Sequence, residues 1–264
     1  MQEPGLAESA KKVIYTAIAG NYDTISQPVI VRDDFDYVCF VDKIEGDGKS
    51  GVWQLREFPY KHDDPTRRAR FVKLQPHVVL PEYDYSIWHD ANVIIANDYI
   101  YRRVDDLIDQ QALLAFFAHW GRDCAYDEAM ECLITGVDRT SKIVGMVLEM
   151  VGHRYPRHKG LIESNVIYRN HTNPKVKAAD DMWWRLLKRH SKRDQLSLNY
   201  VLWRKHLPYE LIFHFNPALT ARNSEAFIYQ NHNAERKVPK GIRRRTRLAR
   251  FLRKYIINPL TPKM

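Results

Sequence analysis

Cysteine is scarce in this chain: Cys39, Cys124 and Cys132 make an odd number with no framework spacing. That excludes a disulfide-stapled scaffold and points to a reduced, cytosolic setting. His119 stands near two of them in sequence, but the spacing fits no Cys/His zinc pattern and a fourth ligand is missing. Long apolar runs are absent too. No stretch reaches the roughly 18–20 residues that a membrane-crossing helix needs. Residues 1–12 carry no apolar run of the secretory-signal kind. The glycine turn at residues 19–23 is neither a G-x-G-x-x-G nor a P-loop, and the chain has no G-x-S-x-G elbow, so that turn lacks the dinucleotide and triphosphate fingerprints and the serine-hydrolase one is missing. No internal repeat is visible.

Acidic residues vanish from one region. Between Arg236 and Lys254 there are ten Lys or Arg and no Asp or Glu. The net charge is +9, so the rest of the chain is near neutral. This argues against a nucleic-acid-binding body. A length of 264 residues, 45% hydrophobic and 28% charged, is ordinary for a globular chain with ample core. Residues 1–240 read as one domain and 241–264 as a basic amphipathic tail.

What is present alternates strand and helix patterns. Residues 13–18 form a continuous apolar run suited to a buried parallel strand, and Ala19-Gly20-Asn21-Tyr22-Asp23 follows as a turn. Residues 35–41 make a second strand ending at Asp42, and 52–55 a third. An acidic residue at a strand's C-terminal end suits a ribose, or caps a turn. Asp64-Pro65-Thr66 has the capping Asp and early Pro of a helix start. Arg67, Arg70 and Lys73 then recur every three residues, a basic side that is either solvated or aimed at phosphate. Residues 85–90 alternate like a strand that ends in Asp90-Ala91-Asn92. In extended chain Asp90 and Asn92 point the same way. A carboxylate and an amide oxygen aimed at one point suit a hard divalent cation; the same pair also opens turns.

Further along, residues 93–96, 113–118, 160–169 and 211–215 read as strands. Residues 104–114, 124–134, 140–151, 175–190 and 191–200 read as helices. Asp194 and Gln195 fall in a first helical turn, where the helix dipole favours acids. The alternation predicts an α/β sandwich with a central, mainly parallel sheet. In the tail, Leu248, Phe251, Leu252, Tyr255 and Ile256 fall on one helical face, with Arg243, Arg244, Arg247, Arg250, Arg253 and Lys254 covering much of the remainder. That helix suits an anionic membrane surface, or else packs on the body.

Several of these segments together resemble the TOD/MUCI-type glycosyltransferase-like family over about residues 13–205. They are residues 15–23 and 35–42, Arg70 and Lys73 with Pro76-His77, and Ser86-Ile87-Trp88-His89-Asp90-Ala91-Asn92. Residues 119–128, Gly160-Leu161, Trp183-Trp184 and 193–197 complete the set. The resemblance implies a GT-A-like (Rossmann-like) α/β/α sandwich. It implies transfer, with retention, of a hexose-type sugar from a nucleoside diphosphate, UDP by expectation, using Mn²⁺ or Mg²⁺. The acceptor would be a cell-surface glycan or lipid-linked glycan on the inner face of the cytoplasmic membrane. Asp90-Ala91-Asn92 would stand where relatives have a metal-binding D-x-D, with Asn in place of the second Asp. His232, with His214 as rival, would be a late metal ligand, and Lys237 would meet the diphosphate. Tyr15, Thr16, Ala17 and Asp42 would cradle base and ribose, with Gly20 and Tyr22 in the adjoining turn. Arg70 and Lys73 would offset phosphate charge, and Asp194 and Gln195 would flank the reacting sugar. The rival readings are a ceramidase-like metal hydrolase using Asp90, His89 and His119, and a non-catalytic membrane or nucleic-acid adaptor using the tail.

Overall fold

The computed structural model describes residues 10–20, 23–230 and 241–263. Its core is an eight-stranded mixed sheet. The strands are β1 (Lys12–Ile18), β2 (Asp36–Val41), β3 (Lys49–Ser50), β4 (Trp53–Glu57), β5 (Tyr85–His89), β7 (Leu114–Ala118), β8 (Ile162–Asn170) and β9 (Glu210–Leu211). Their order across the sheet is β3-β4-β2-β1-β5-β8-β7-β9. The β4-β2-β1-β5 centre is parallel, whereas β8 runs antiparallel to both β5 and β7. The chain therefore winds outward from β1 through β2 to β4, then returns to place β5 on the other side of β1. That reversal opens a crevice beyond the C-terminal ends of β1 and β5, the usual ligand position in such sheets. A two-stranded ribbon pairs β6 (Val93–Ile95) with β10 (Phe227–Tyr229).

Period-two alternation distributes the side chains. Val13, Tyr15 and Ala17 of β1, Trp88 of β5 and Phe116 of β7 enter one core. Ile14, Ile87, Ala115 and Phe117 enter the other. The first core is covered by α1 (Pro65–Leu74), α4 (Ala125–Thr135), α5 (Thr140–Gly152), α6 (Pro174–Arg189) and α7 (Gln195–Lys205). The second is covered by α3 (Tyr99–Asp109). A short α2 (Pro76–Val79) follows α1, and α8 (Ile242–Leu252) packs on α4. All three cysteines are buried and unbridged. Among the described residues no helix is long and apolar enough to cross a membrane.

Three elements differ most from the sequence reading; the helix expected at 191–200 is α7, which starts four residues later at Gln195 and runs to Lys205. The helix expected at 104–114 is α3, which starts five residues earlier. It stops at Asp109 because Gln111 takes φ +53° and Leu114 already opens β7. The strand expected at 211–215 is cut to Glu210–Leu211. Ile212 and Phe213 still bury in the core, but through a turn.

One buried histidine sets an expectation for acid stability. His171 donates from Nε2 to the Tyr83 carbonyl at 2.5 Å and meets Ser86 Oγ at Nδ1, 3.1 Å away. Burial pushes its pKa down to about 4, with the neighbouring Arg169 acting the same way and the Tyr83 carbonyl opposing. A folded-state pKa below the unfolded value near 6.5 gives stability that is full above about pH 6.5 and lost as pH falls towards 4. This one group accounts for about 3 kcal/mol. The melting temperature should drop across that window, and His171→Asn should flatten part of the slope.

Candidate active site

A cavity of about 580 Å³ opens at the crevice. Ala17, Ile18, Ala19 and Gly20 line it from the end of β1, and Trp88 and Asp90 from the end of β5. Arg70 enters from α1, Glu128 and Cys132 from α4, and Glu163, Ser164 and Asn165 from β8. Arg193, Asp194 and Gln195 close it at the start of α7.

Helix α1 brings two cations inward. Asp64 caps it, accepting from the Thr66 N–H at 2.9 Å, with Pro65 in its first turn. Three residues apart, Arg70 and Lys73 face the same way. Lys73 Nζ lies 2.6 Å from Asp194 Oδ2 and 3.0 Å from Asp90 Oδ1; the side chains of Lys73 and Asp194 are each 1% exposed. Arg70 Nε is 3.4 Å from the same Asp194 oxygen, and Ser164 donates to it at 3.1 Å. Burial acts to raise the pKa of Asp194, but Arg70, Lys73 and Arg193 outweigh it and hold the carboxyl well below its ordinary range. Burial also pulls Lys73 down, opposed by Asp194 and Asp90. Two carboxylates in contact with one ammonium keep the cluster ionised.

Asp90 is differently placed. Its Oδ1 accepts from both Lys73 Nζ and Trp88 Nε1, the latter at 2.9 Å. No bond to Oδ2 is formed among the described residues, and the side chain is 27% exposed into the cavity. Three buried polar atoms of the cavity lining have no hydrogen-bond partner there, Gln195 Nε2, Asn165 Oδ1 and Arg70 Nε, the last in ion-pair contact with Asp194 at 3.4 Å. The other ends of the two amides are fixed: Gln195 Oε1 accepts from Arg193 at 2.9 Å and Asn165 Nδ2 donates to Glu163 at 3.0 Å. Burial raises the Glu163 carboxyl, against the pull of Arg222 and the Asn165 hydrogen bond.

At the rim, the backbone N–H groups of Gly121 and Arg122 both donate to His119 Nδ1, at 3.1 and 3.0 Å. The ring proton therefore sits on Nε2. Burial and the nearby Arg122 lower this histidine's pKa, keeping it neutral. Trp120, 71% exposed, stacks on the His119 ring with centroids 6.2 Å apart. Arg122 pairs with the buried Glu128 at 2.9 Å, and Arg222 lies 4.2 Å over the Tyr229 ring; all four line the cavity.

Of the residues singled out in sequence, the cavity gathers Ala17, Gly20, Arg70, Asp90, His119, Cys132, Asp194 and Gln195. Gly20 adopts φ +66°, and a Cβ there would fall 2.9 Å from Pro65 Cβ, so this turn is closed to larger residues. Others do not reach it. Tyr15 lies mid-strand and buried, its hydroxyl between the Lys73 carbonyl and Arg169. Thr16 points away and donates to the His89 carbonyl at 2.8 Å. Asp42 holds the Gly20 N–H at 2.7 Å and Arg68 at 2.8 Å. Lys73 stands behind the cavity wall rather than in it, its charge met by the two aspartates. The extended geometry expected for Asp90-Ala91-Asn92 is corrected to a turn, closed by the Val93 N–H on the Asp90 carbonyl at 2.8 Å. The turn sends the Asn92 amide to the Gln230 carbonyl at 2.9 Å, away from the cavity. His214 is exposed and His89 is buried, and neither lines the cavity. Tyr22, His232 and Lys237 lie outside the described residues.

No role was read in sequence for Glu163, Ser164, Asn165, Arg122, Arg193, Trp120 or Arg222, although Trp120, Arg122 and Arg193 fall in segments that carry the resemblance. Glu163, Ser164 and Asn165 carried a signal: a polar run inside an otherwise apolar strand.

Residues 3–232 match the TOD1/MUCI70, glycosyltransferase-like domain. The chain belongs to that family. No curated protein matches it. Among solved structures it is similar to the bifunctional glycosyltransferase WbbM in apo form, at 12% identity and TM-score 0.42, covering 76% of this chain and 38% of that one. It is also similar to core-mannan synthase A from Aspergillus fumigatus in its Mn/GDP form, at 11% identity and TM-score 0.45, over 75% and 72% of the two chains. A third is mouse xyloside xylosyltransferase 1 in apo form, at 11% and 0.42, over 76% and 84%.

A divalent cation fits this site through one protein oxygen, Asp90 Oδ2. That is enough for an ion that takes most of its remaining ligands from substrate phosphates and water. The described residues hold one cluster of three ligand types, Cys124, Asp127 and His158, and it lies outside the cavity. Its Asp127 is paired with Arg253 and its His158 with Asp123.

Proposed function

We propose that the chain is a nucleotide-sugar-dependent glycosyltransferase that passes a hexose-type sugar from a nucleoside diphosphate to a glycan or lipid-linked glycan. One observation carries the reading. The cavity ends in a buried donor, Gln195 Nε2, and a buried acceptor, Asn165 Oδ1, with no partner among the described residues, next to the unclaimed oxygen of Asp90. Buried polar atoms are normally satisfied, so this site is built for a ligand rich in hydroxyl and phosphate oxygens.

The charges suit that ligand. Arg70, Arg122, Arg193 and Arg222 line the cavity and can hold phosphate oxygens, but six carboxylates, Asp23, Asp90, Glu128, Glu131, Glu163 and Asp194, line it too, so a diphosphate there calls for a cation. Mn²⁺ or Mg²⁺, when bound at Asp90, would neutralise part of that charge. Asp194, held anionic by Lys73 and Arg70, faces the side where a sugar develops positive charge, and Gln195 orients its hydroxyls. Retention of anomeric configuration belongs to this reading; product NMR decides it. His119, neutral with its proton on Nε2, offers a donor to the acceptor at the rim.

A thermal-shift screen of nucleoside diphosphates and their sugars, with and without Mn²⁺, tests the proposal on wild type and Asp90→Ala. A ligand at about 100 times its Kd stabilises the fold by about 2.7 kcal/mol, a rise of roughly 5–10 °C. We expect one nucleotide to do this only with metal and only with Asp90 intact. No shift with any nucleotide, in folded protein, overturns it.

A further inference from the structure

The tail does not present the single apolar stripe expected of it. Helix α8 continues through a π-helical turn, Arg253–Ile257, and this rod packs on α4. Ala249, Leu252 and Ile257 are buried there, with Leu248 and Ile256 half-buried beside them. Arg253 pins the rod to Asp127 of α4. The stripe is thus divided, and Phe251 and Tyr255 are left outside it, 52% and 55% exposed. One turn apart, their rings meet at a tilt of 42° with centroids 5.1 Å apart.

Arg243, Arg244, Arg247, Arg250 and Lys254 share this outer face, all exposed. None is in an ion pair among the described residues, and residues 241–264 contain no Asp or Glu. Uncompensated cations flanking two exposed aromatic rings need a partner that is anionic at its surface and apolar just beneath. A bilayer with anionic headgroups has both layers in that order. Nucleic acid supplies the charge, but a duplex offers no apolar layer for the phenylalanine. We infer that this face docks on an anionic lipid surface, with Phe251 and Tyr255 at the headgroup boundary and the five cations on the headgroups. Helix α4 then stands as a wall between membrane and cavity, since Glu128 and Cys132 on its other side line the site. This inference does not depend on the transferase reading.

Co-sedimentation of the full chain with vesicles tests it without any activity readout. The protein should pellet with vesicles of mixed phosphatidylcholine and phosphatidylglycerol, and not with phosphatidylcholine alone. Each basic residue near such a surface is worth about a fivefold change in partitioning, so Arg243→Ala, Arg247→Ala and Arg250→Ala combined should weaken it on the order of a hundredfold. Phe251→Ala with Tyr255→Ala should weaken it at least tenfold. All five side chains are exposed, so unchanged melting curves are expected to accompany these losses. Failure to pellet with anionic vesicles overturns the inference. So does full retention of vesicle binding by the aromatic double variant, combined with displacement by duplex DNA, which would mark a general polyanion surface.

Discussion

Replacing Lys73 with methionine is expected to lower the melting temperature by roughly 10 °C. The ammonium is buried between Asp194 and Asp90, and methionine keeps the stem but deletes the charge. Asp194 would remain in the interior with Arg70 at 3.4 Å and the Ser164 hydroxyl as its remaining close partners. Removing one member of a buried pair costs about 3–5 kcal/mol, because the other charge stays behind. For a chain of this size each kcal/mol is worth about 2–4 °C. Calorimetry at pH 7 reads the effect directly. The acid limb gives a second readout. Because Asp194 is held below its ordinary range, its contribution is full above about pH 4 and is lost as pH falls further. Lys73→Met should shrink that loss. A variant that melts within a degree or two of wild type would show that the cluster contributes little to the fold.

Asp90→Ala should do the reverse, sparing the fold and removing the chemistry. Its carboxylate is partly exposed, and Lys73 keeps Asp194 when Asp90 is gone. Trp88 Nε1 loses its acceptor, so a modest fall in melting temperature is expected. On the proposed reading, the cavity loses the one oxygen suited to a cation on a diphosphate. Several kcal/mol of charge stabilisation go with it, which corresponds to a rate loss of about 10²–10⁴. Release of nucleotide from the donor sugar, followed in the presence of Mn²⁺, measures this. A variant within threefold of wild type would remove Asp90 from the reaction. The two variants together separate the residue that holds the crevice from the one that works in it.

The sequence made the sheet legible where apolar runs were long, as at 13–18 and 35–41, and made α1 legible through its Asp64-Pro65-Thr66 start. Local pattern does not fix sheet order or strand direction, so the antiparallel placement of β8 was out of reach. Asp90 stood out because it ends an alternating strand, and Asp194 and Gln195 through resemblance. Lys73 was read with Arg67 and Arg70 as one basic side, solvated or aimed at phosphate, because the three recur every three residues. Its burial depends on two aspartates 17 and 121 positions further along, a contact that no periodicity records. Asn92 was misplaced because a two-residue spacing has the same appearance in a strand and in a turn. Arg122, Trp120 and Arg222 come from loops, which carry no period at all.

The burial of Cys39, Cys124 and Cys132 makes the protein convenient for site-specific chemistry. The Cys39 and Cys132 thiols are pushed up to about 12, chiefly by burial, and Cys124 is 2% exposed. A cysteine introduced at Phe251 or Trp120 would be the one thiol open to a maleimide dye, with no need to strip the native three. A fluorophore at either position could then report lipid contact or ligand entry to the cavity with the native cysteines in place.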